Sequence, residues 1–247
     1  MSKSVKSIGE CAFNGCAGLT SISIPDRVTS LGTSAFSGCT NLSSISVDEN
    51  NKDYSSVDGI LFNRDKTSLL RYPIGKQQLS YTIPDKVASI GEFAFNDCAS
   101  FTSISISKSV KSIGAYAFHG CASLTNIFVP DSVSNIACSA FDNCVNLSSI
   151  NVDENNKDYS SVDGILFNKD KTSLLRYPIG KQQLSYIIPS SVTSIGEKAF
   201  EKCKKLTSIT IPDSVKRVEA QAFGGLTNMT IPKSVTNISV LAFVADF

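Results

Sequence analysis

The dipeptide Ala-Phe occurs eight times, at Phe13, Phe36, Phe95, Phe118, Phe141, Phe200, Phe223 and Phe243, with successive spacings of 23, 59, 23, 23, 59, 23 and 20 residues. A fixed period constrains a chain more than any local motif does. Each copy is a supersecondary unit too small to bury its own apolar face, so neighbouring copies must stack to complete a core. The frame around each Phe is the same: Val5, Ile8, Gly9, Ala12, Phe13, Cys16, Leu19, Ile22, Ile24 and Pro25 in the first copy, and Val192, Ile195, Gly196, Ala199, Phe200, Cys203, Leu206, Ile209, Ile211 and Pro212 in a later one.

Within a unit, the run from Leu19 to Ile24 alternates apolar and polar residues, the period of a strand buried on one face, and Pro25 ends it. Ala12, Phe13 and Cys16 lie three or four apart, a spacing that predicts a short helical turn carrying all three on one face. Parallel pairing of successive strands then gives a repeat solenoid, with interior ladders of Phe, Cys, Leu and Ile and the helical turns opposite the sheet.

Each 59-residue gap is one period plus a 36-residue insertion, and the two insertions lie 105 residues apart. Residues 42–81 and 147–186 differ only at Ser46/Asn151 and Arg64/Lys169, so a 105-residue block is duplicated. The insertions are enlarged coils near 48–83 and 153–188. In the first, 59–63 and 68–72 around the polar turn 64–67 predict a protruding β-hairpin. Eight Ala-Phe units and two enlarged coils make about ten coils in one solenoid domain spanning 1–247.

Bulk properties narrow the function classes. Lys and Arg total 23 against 22 Asp and Glu, with no block of one sign, so electrostatic capture of nucleic acid has no basis. No run approaches the roughly 18–20 apolar residues of a transmembrane helix, and the chain enters a repeat without a signal-peptide stretch, which reads as a cytosolic protein or a fragment of a longer one.

Catalytic and cofactor chemistry finds no constellation. Cys16, Cys39, Cys98, Cys121, Cys144 and Cys203 all fall three residues after Phe and read as buried packing thiols, whereas Cys11 and Cys138 lie off that ladder and are expected at the surface. His119, the single histidine, follows Phe118 at a position expected to face solvent, and no C-x-x-C spacing accompanies it, so no metal or cofactor is assigned. The acidic runs 48–53 and 153–158 lack EF-hand spacing and read as solvated turns.

The complete frame, with the 58–67 segment ending at Tyr72-Pro73, resembles the BspA-type leucine-rich repeat family over essentially the whole chain. The resemblance implies a curved solenoid with a parallel sheet on its concave face. It also implies a cell-surface or secreted location and adhesion to host proteins, such as matrix or plasma proteins. The residues expected to meet a protein partner are the outward strand positions Ser103, Ser105, Asn126, Phe128, Ser149 and Asn151. To these the enlarged coils add Arg71, Tyr72, Arg176 and Tyr177, which combine a donor fork with an amphipathic ring. Alternatives are end-to-end self-assembly of coils and, more weakly, a glycan- or ice-binding surface.

Overall fold

The computed structural model describes residues 1–226 and 230–244. The fold is a β-solenoid of about ten turns with almost no helix. The chain divides into two compact units, Met1–Ser123 with Asn135–Asp142, and Leu124–Ser134 with Asn143–Phe247.

In the first unit the strand Ser21–Ile24 pairs in parallel with Ser44–Val47, and Ser80–Thr82 pairs in parallel with Ser103–Ser105. The alternation read from sequence decides the faces: Ser21 and Ser23 are exposed while Ile22 and Ile24 are buried. Each Ala-Phe coil also carries a second, two-residue strand that the sequence reading did not assign, on the second and third residues after the frame valine, most often Ser-Ile. These short strands, Ser89–Ile90, Ser112–Ile113 and Asn135–Ile136, extend a six-stranded sheet that begins in the enlarged coil. The second unit repeats this plan, with Asn126–Val129 on Ser149–Val152, Ser185–Ile187 on Ser208–Thr210, and its own six-stranded sheet.

The expected helical turns are corrected. Among the described residues the one helix is the 3-10 segment Ile74–Lys76. Around Phe13 the chain closes tight turns, with the Ala12 amide donating to Gly9 O and the Cys16 amide to Phe13 O, while the Phe13 amide donates to Ala35 O of the next coil at 2.8 Å. That inter-coil bond uses the donor a helix would need. In six of the eight Ala-Phe coils the residue before the pair is also left-handed, as at Phe93 (φ 55), Tyr116 (φ 53) and Lys198 (φ 58), which a right-handed helix cannot contain.

The core is a set of stacked rings. Phe13 lies on Phe36 at 5.7 Å; Tyr72, Phe95, Phe118 and Phe141 follow at 5.5, 5.4 and 5.7 Å; in the second unit Tyr177, Phe200, Phe223 and Phe243 follow at 5.4, 5.5 and 5.7 Å. Five of the six ladder thiols are buried, and Cys39 Sγ and Cys121 Sγ lie 3.0 and 3.3 Å from Phe13 O and Phe95 O of the preceding coil. Cys16, in the first coil, is exposed with Cys11 and Cys138, which corrects its place among the buried thiols.

The hairpins do not protrude. Tyr54–Val57, Ile60–Asn63 and Ser68–Arg71 form an antiparallel meander, and Ser68–Arg71 continues in parallel onto Ser89–Ile90. Ile60, Leu61, Phe62 and Leu69 are buried in it, because the apolar strands supply the wall that an ordinary coil would otherwise present. Residues 48–53 are not simply a solvated turn either. Asn51 is fully buried, its amide donating to Pro25 O (2.7 Å) and Val28 O (3.0 Å) while its Oδ1 accepts from the amides of Asp53 and Tyr54.

Candidate partner-binding surface

The strand positions read as outward divide between the two units. In the first, Ser103 and Ser105 are exposed and lie beside Ser80 and Thr82. In the second, Asn126 stands next to Ser149 and Phe128 next to Asn151, in parallel register. Asn126 and Asn151 are exposed; Ser149 is half-buried and donates to Asn151 Oδ1 at 2.9 Å. Phe128 is 50% exposed, a large ring among short polar side chains. The arrangement offers hydrogen-bonding groups at strand spacing around one aromatic anchor, the residue class that carries a disproportionate share of interface energy.

Arg71, Tyr72, Arg176 and Tyr177 are not on that surface. Their relative exposures are 3, 1, 3 and 1%. The reason is register: Tyr72 lies 23 residues before Phe95 and Tyr177 lies 23 before Phe200, so Arg-Tyr takes the place of Ala-Phe in each enlarged coil. The Tyr72 amide donates to Ala94 O at 2.7 Å, as the Phe95 amide does to Ala117 O, and the Tyr72 hydroxyl reaches Gln78 Oε1. Arg71 stands where other coils have a buried alanine. Its Nη1 donates to Phe93 O at 2.6 Å and its Nη2 to Phe36 O at 3.2 Å, tying the turns of the coils on either side. Arg176 Nη1 donates likewise to Lys198 O at 3.0 Å. Burial pulls the Arg71 guanidinium below its ordinary value. Burial pushes the Tyr72 phenol up, and the Tyr177 phenol up to about 12. These are core residues; the 23-residue count back from Phe95 was the signal that identifies them.

Burial works against nucleophile activation at the ladder thiols. Burial raises the Cys98 and Cys203 thiols to about 12, which keeps them protonated and inert. His119 is half-buried, not solvent-facing: its ring meets Tyr116 edge-on and its Nδ1 lies 3.8 Å from Asp97 Oδ1. The same position is buried at Asn96, Asp142 and Glu201, because the turn backbone there is bonded to the adjacent coil. Among the described residues no group of three or more His, Cys, Asp or Glu is placed to hold a metal, and no helix is long and apolar enough to cross a membrane.

The BspA-type leucine-rich repeat region model matches six copies, over residues 1–64, 75–174 and 180–245. The chain belongs to the BspA-type leucine-rich repeat family. No curated protein sequence matches it. Among solved structures it is similar to a leucine-rich repeat protein from Eubacterium ventriosum (27% identity, TM-score 0.61, 96% of this chain and 54% of that one). It is also similar to a leucine-rich cell surface protein from Faecalibacterium prausnitzii (28%, 0.61, 95% and 64%). The pneumococcal vaccine antigen PcpA shares the fold (21%, 0.61, 97% and 65%). The chain thus spans less than two thirds of the length of each.

Proposed function

We propose that this BspA-type repeat array is a protein-binding module of a cell-surface protein, and that it holds host extracellular proteins through its outward strand face. The observation that carries the reading is Phe128, half exposed beside Asn151 and flanked by Asn126 and Ser149. A ring left in water costs free energy unless a partner covers it, and the polar groups around it supply orientation. The cell-surface description of the Faecalibacterium prausnitzii protein supports the location. No catalytic step is assigned.

The test is capture of purified host matrix and plasma proteins on the immobilised chain, compared with Phe128→Ser. Saturable binding that the substitution weakens about tenfold, the effect expected of a hot-spot aromatic, supports the reading. Binding insensitive to Phe128, Asn126 and Asn151 together removes it. Light scattering runs alongside, since mass that grows with concentration belongs to end-to-end assembly instead.

A further inference from the structure

The exposed large apolar side chains are not spread evenly. Among the described residues, outside the first residue and the coil at 238–244, all of them except Phe128 and Val145 belong to the enlarged coils: Val57 and Leu79 in the first, Val162, Leu184 and Ile187 in the second. In the first unit Val57 lines a groove of about 320 Å³ between the turn at 57–59 and the strand Ser80–Thr82. Its apolar lining comes from Val57, Ile60, Phe62, Tyr81 and Pro84; Lys66, Lys86 and Asp58 line it as well, leaving a net positive charge. The two lysines also border a polar recess lined by Ser55, Ser56 and Arg64 together with Asp48, Glu49 and Asp65, whose three acidic charges balance the three basic ones, so the positive excess is confined to the groove.

The strand on one wall has an open edge. Ser80–Thr82 is hydrogen-bonded to Ser103–Ser105 alone among the described strands. The Ile83 amide donates to Ser105 O at 2.9 Å, so the alternation of a strand turns the Thr82 amide the other way. An uncovered strand edge beside apolar pockets is the arrangement that takes up an extended peptide: the backbone row supplies affinity, and alternate side chains enter the pockets.

We propose that an extended segment of a protein partner adds as a strand along Ser80–Thr82, with apolar side chains in the groove and an acidic side chain beside Lys66 and Lys86. The inference rests on the reading of the chain as a protein-binding module and places a second contact surface on it, apart from Phe128. The duplicated coil carries the equivalent strand, Ser185–Ile187, bonded among the described strands to Ser208–Thr210 alone, but Ile187 replaces Thr82 and is 73% exposed, and Ser191 replaces Lys86. The acidic preference therefore belongs to the first site, and the second favours a more apolar segment.

The probe is a short end-blocked peptide alternating valine and glutamate, labelled for fluorescence anisotropy, with the valine-lysine peptide as counterpart and the full chain as receptor. The expected result is binding of the glutamate peptide, weakened roughly tenfold or more at low salt by Lys66→Glu with Lys86→Glu, since each reversal replaces a surface attraction by a repulsion. Both lysines are exposed, so the expected far-UV circular dichroism of the variant is that of the unaltered protein. Hydrogen exchange on the unaltered protein gives a second readout that needs no variant, and the peptide is expected to slow exchange of the Thr82 amide. No binding, equal binding of both peptides, or protection elsewhere than at the Ser80–Thr82 edge overturns the proposal. If the probe fails while Phe128-dependent capture of a host protein persists, the groove is wrong and the protein-binding reading stands. Dimerisation of the chain that Thr82→Pro abolishes identifies a second copy as the occupant and also overturns it.

Discussion

Replacing Asn51 tests the packing logic of the enlarged coil. Its side chain is fully buried and makes four hydrogen bonds: two given, to Pro25 O at 2.7 Å and Val28 O at 3.0 Å, and two received, from the Asp53 amide at 2.9 Å and the Tyr54 amide at 2.8 Å. Asn51→Ala removes all four bonds; the Pro25 carbonyl keeps the Val28 amide at 3.3 Å, while the Val28 carbonyl and the Asp53 and Tyr54 amides lose the Asn51 side chain as partner. At about 1 kcal/mol net for each bond, the loss is about 4 kcal/mol, a large part of the roughly 5–15 kcal/mol that holds a domain folded. Asn51→Asp is the sharper variant. It keeps both accepted bonds but turns a carboxylate oxygen toward two carbonyl oxygens, so burial and repulsion raise its folded pKa above the ordinary value of about 3.9. A raised folded value means that stability is intact below the unfolded pKa and lost as pH rises through the folded one. Urea unfolding followed by circular dichroism should therefore show Asn51→Asp close to wild type in acid and falling behind it toward neutral pH. Asn156 makes the same four bonds in the second unit, and Asn156→Ala is the matched control. A loss below about 1 kcal/mol for Asn51→Ala, or a deficit of Asn51→Asp that does not change with pH, would refute the reasoning.

Thiol titration of the native protein should label Cys11, Cys16 and Cys138 rapidly, while Cys98 and Cys203, held at about 12 by burial, react only on unfolding. Fast labelling of all eight would contradict the buried ladder. The phenols of Tyr81, Tyr177 and Tyr186 are each pushed to about 12 by burial, so stability should hold below the ordinary phenol value of about 10 and fall between there and 12. Tyr177→Phe should move the alkaline transition upward, at the cost of the 3.0 Å hydrogen bond to Gln183 Oε1. An unchanged transition would show that this ring does not govern it.

The solenoid and its burial pattern were legible because the Ala-Phe period and the alternation of strands such as Ser21–Ile24 are long-range regularities, which local context rarely overrides. What escaped was short or disguised. A two-residue strand such as Ser112–Ile113 has too few positions to show a period. Arg-Tyr at 71–72 fills the Ala-Phe position with residue types whose usual place is the surface, and only the stacked neighbours and the two carbonyls meeting the guanidinium explain an arginine in the core. Asn51 sat in an acidic, polar run whose composition suggested solvent; its burial follows from four backbone partners, two of them more than 20 residues away. Of the surface candidates, Phe128 and the outward Ser and Asn positions were readable from alternation alone. The groove beside Ser80–Thr82 was not, because it depends on which strand edge the enlarged coil leaves open.

The most direct measurement of the central claim is surface plasmon resonance of the intact chain over immobilised host matrix and plasma proteins, with Phe128→Ser and Phe128→Ser/Asn151→Ala in parallel. The account expects saturable binding to at least one of these proteins, weakened about tenfold by the first variant and further by the second, with folding unchanged. Saturable binding that is equally strong in both variants, or no binding to any of them, would contradict it.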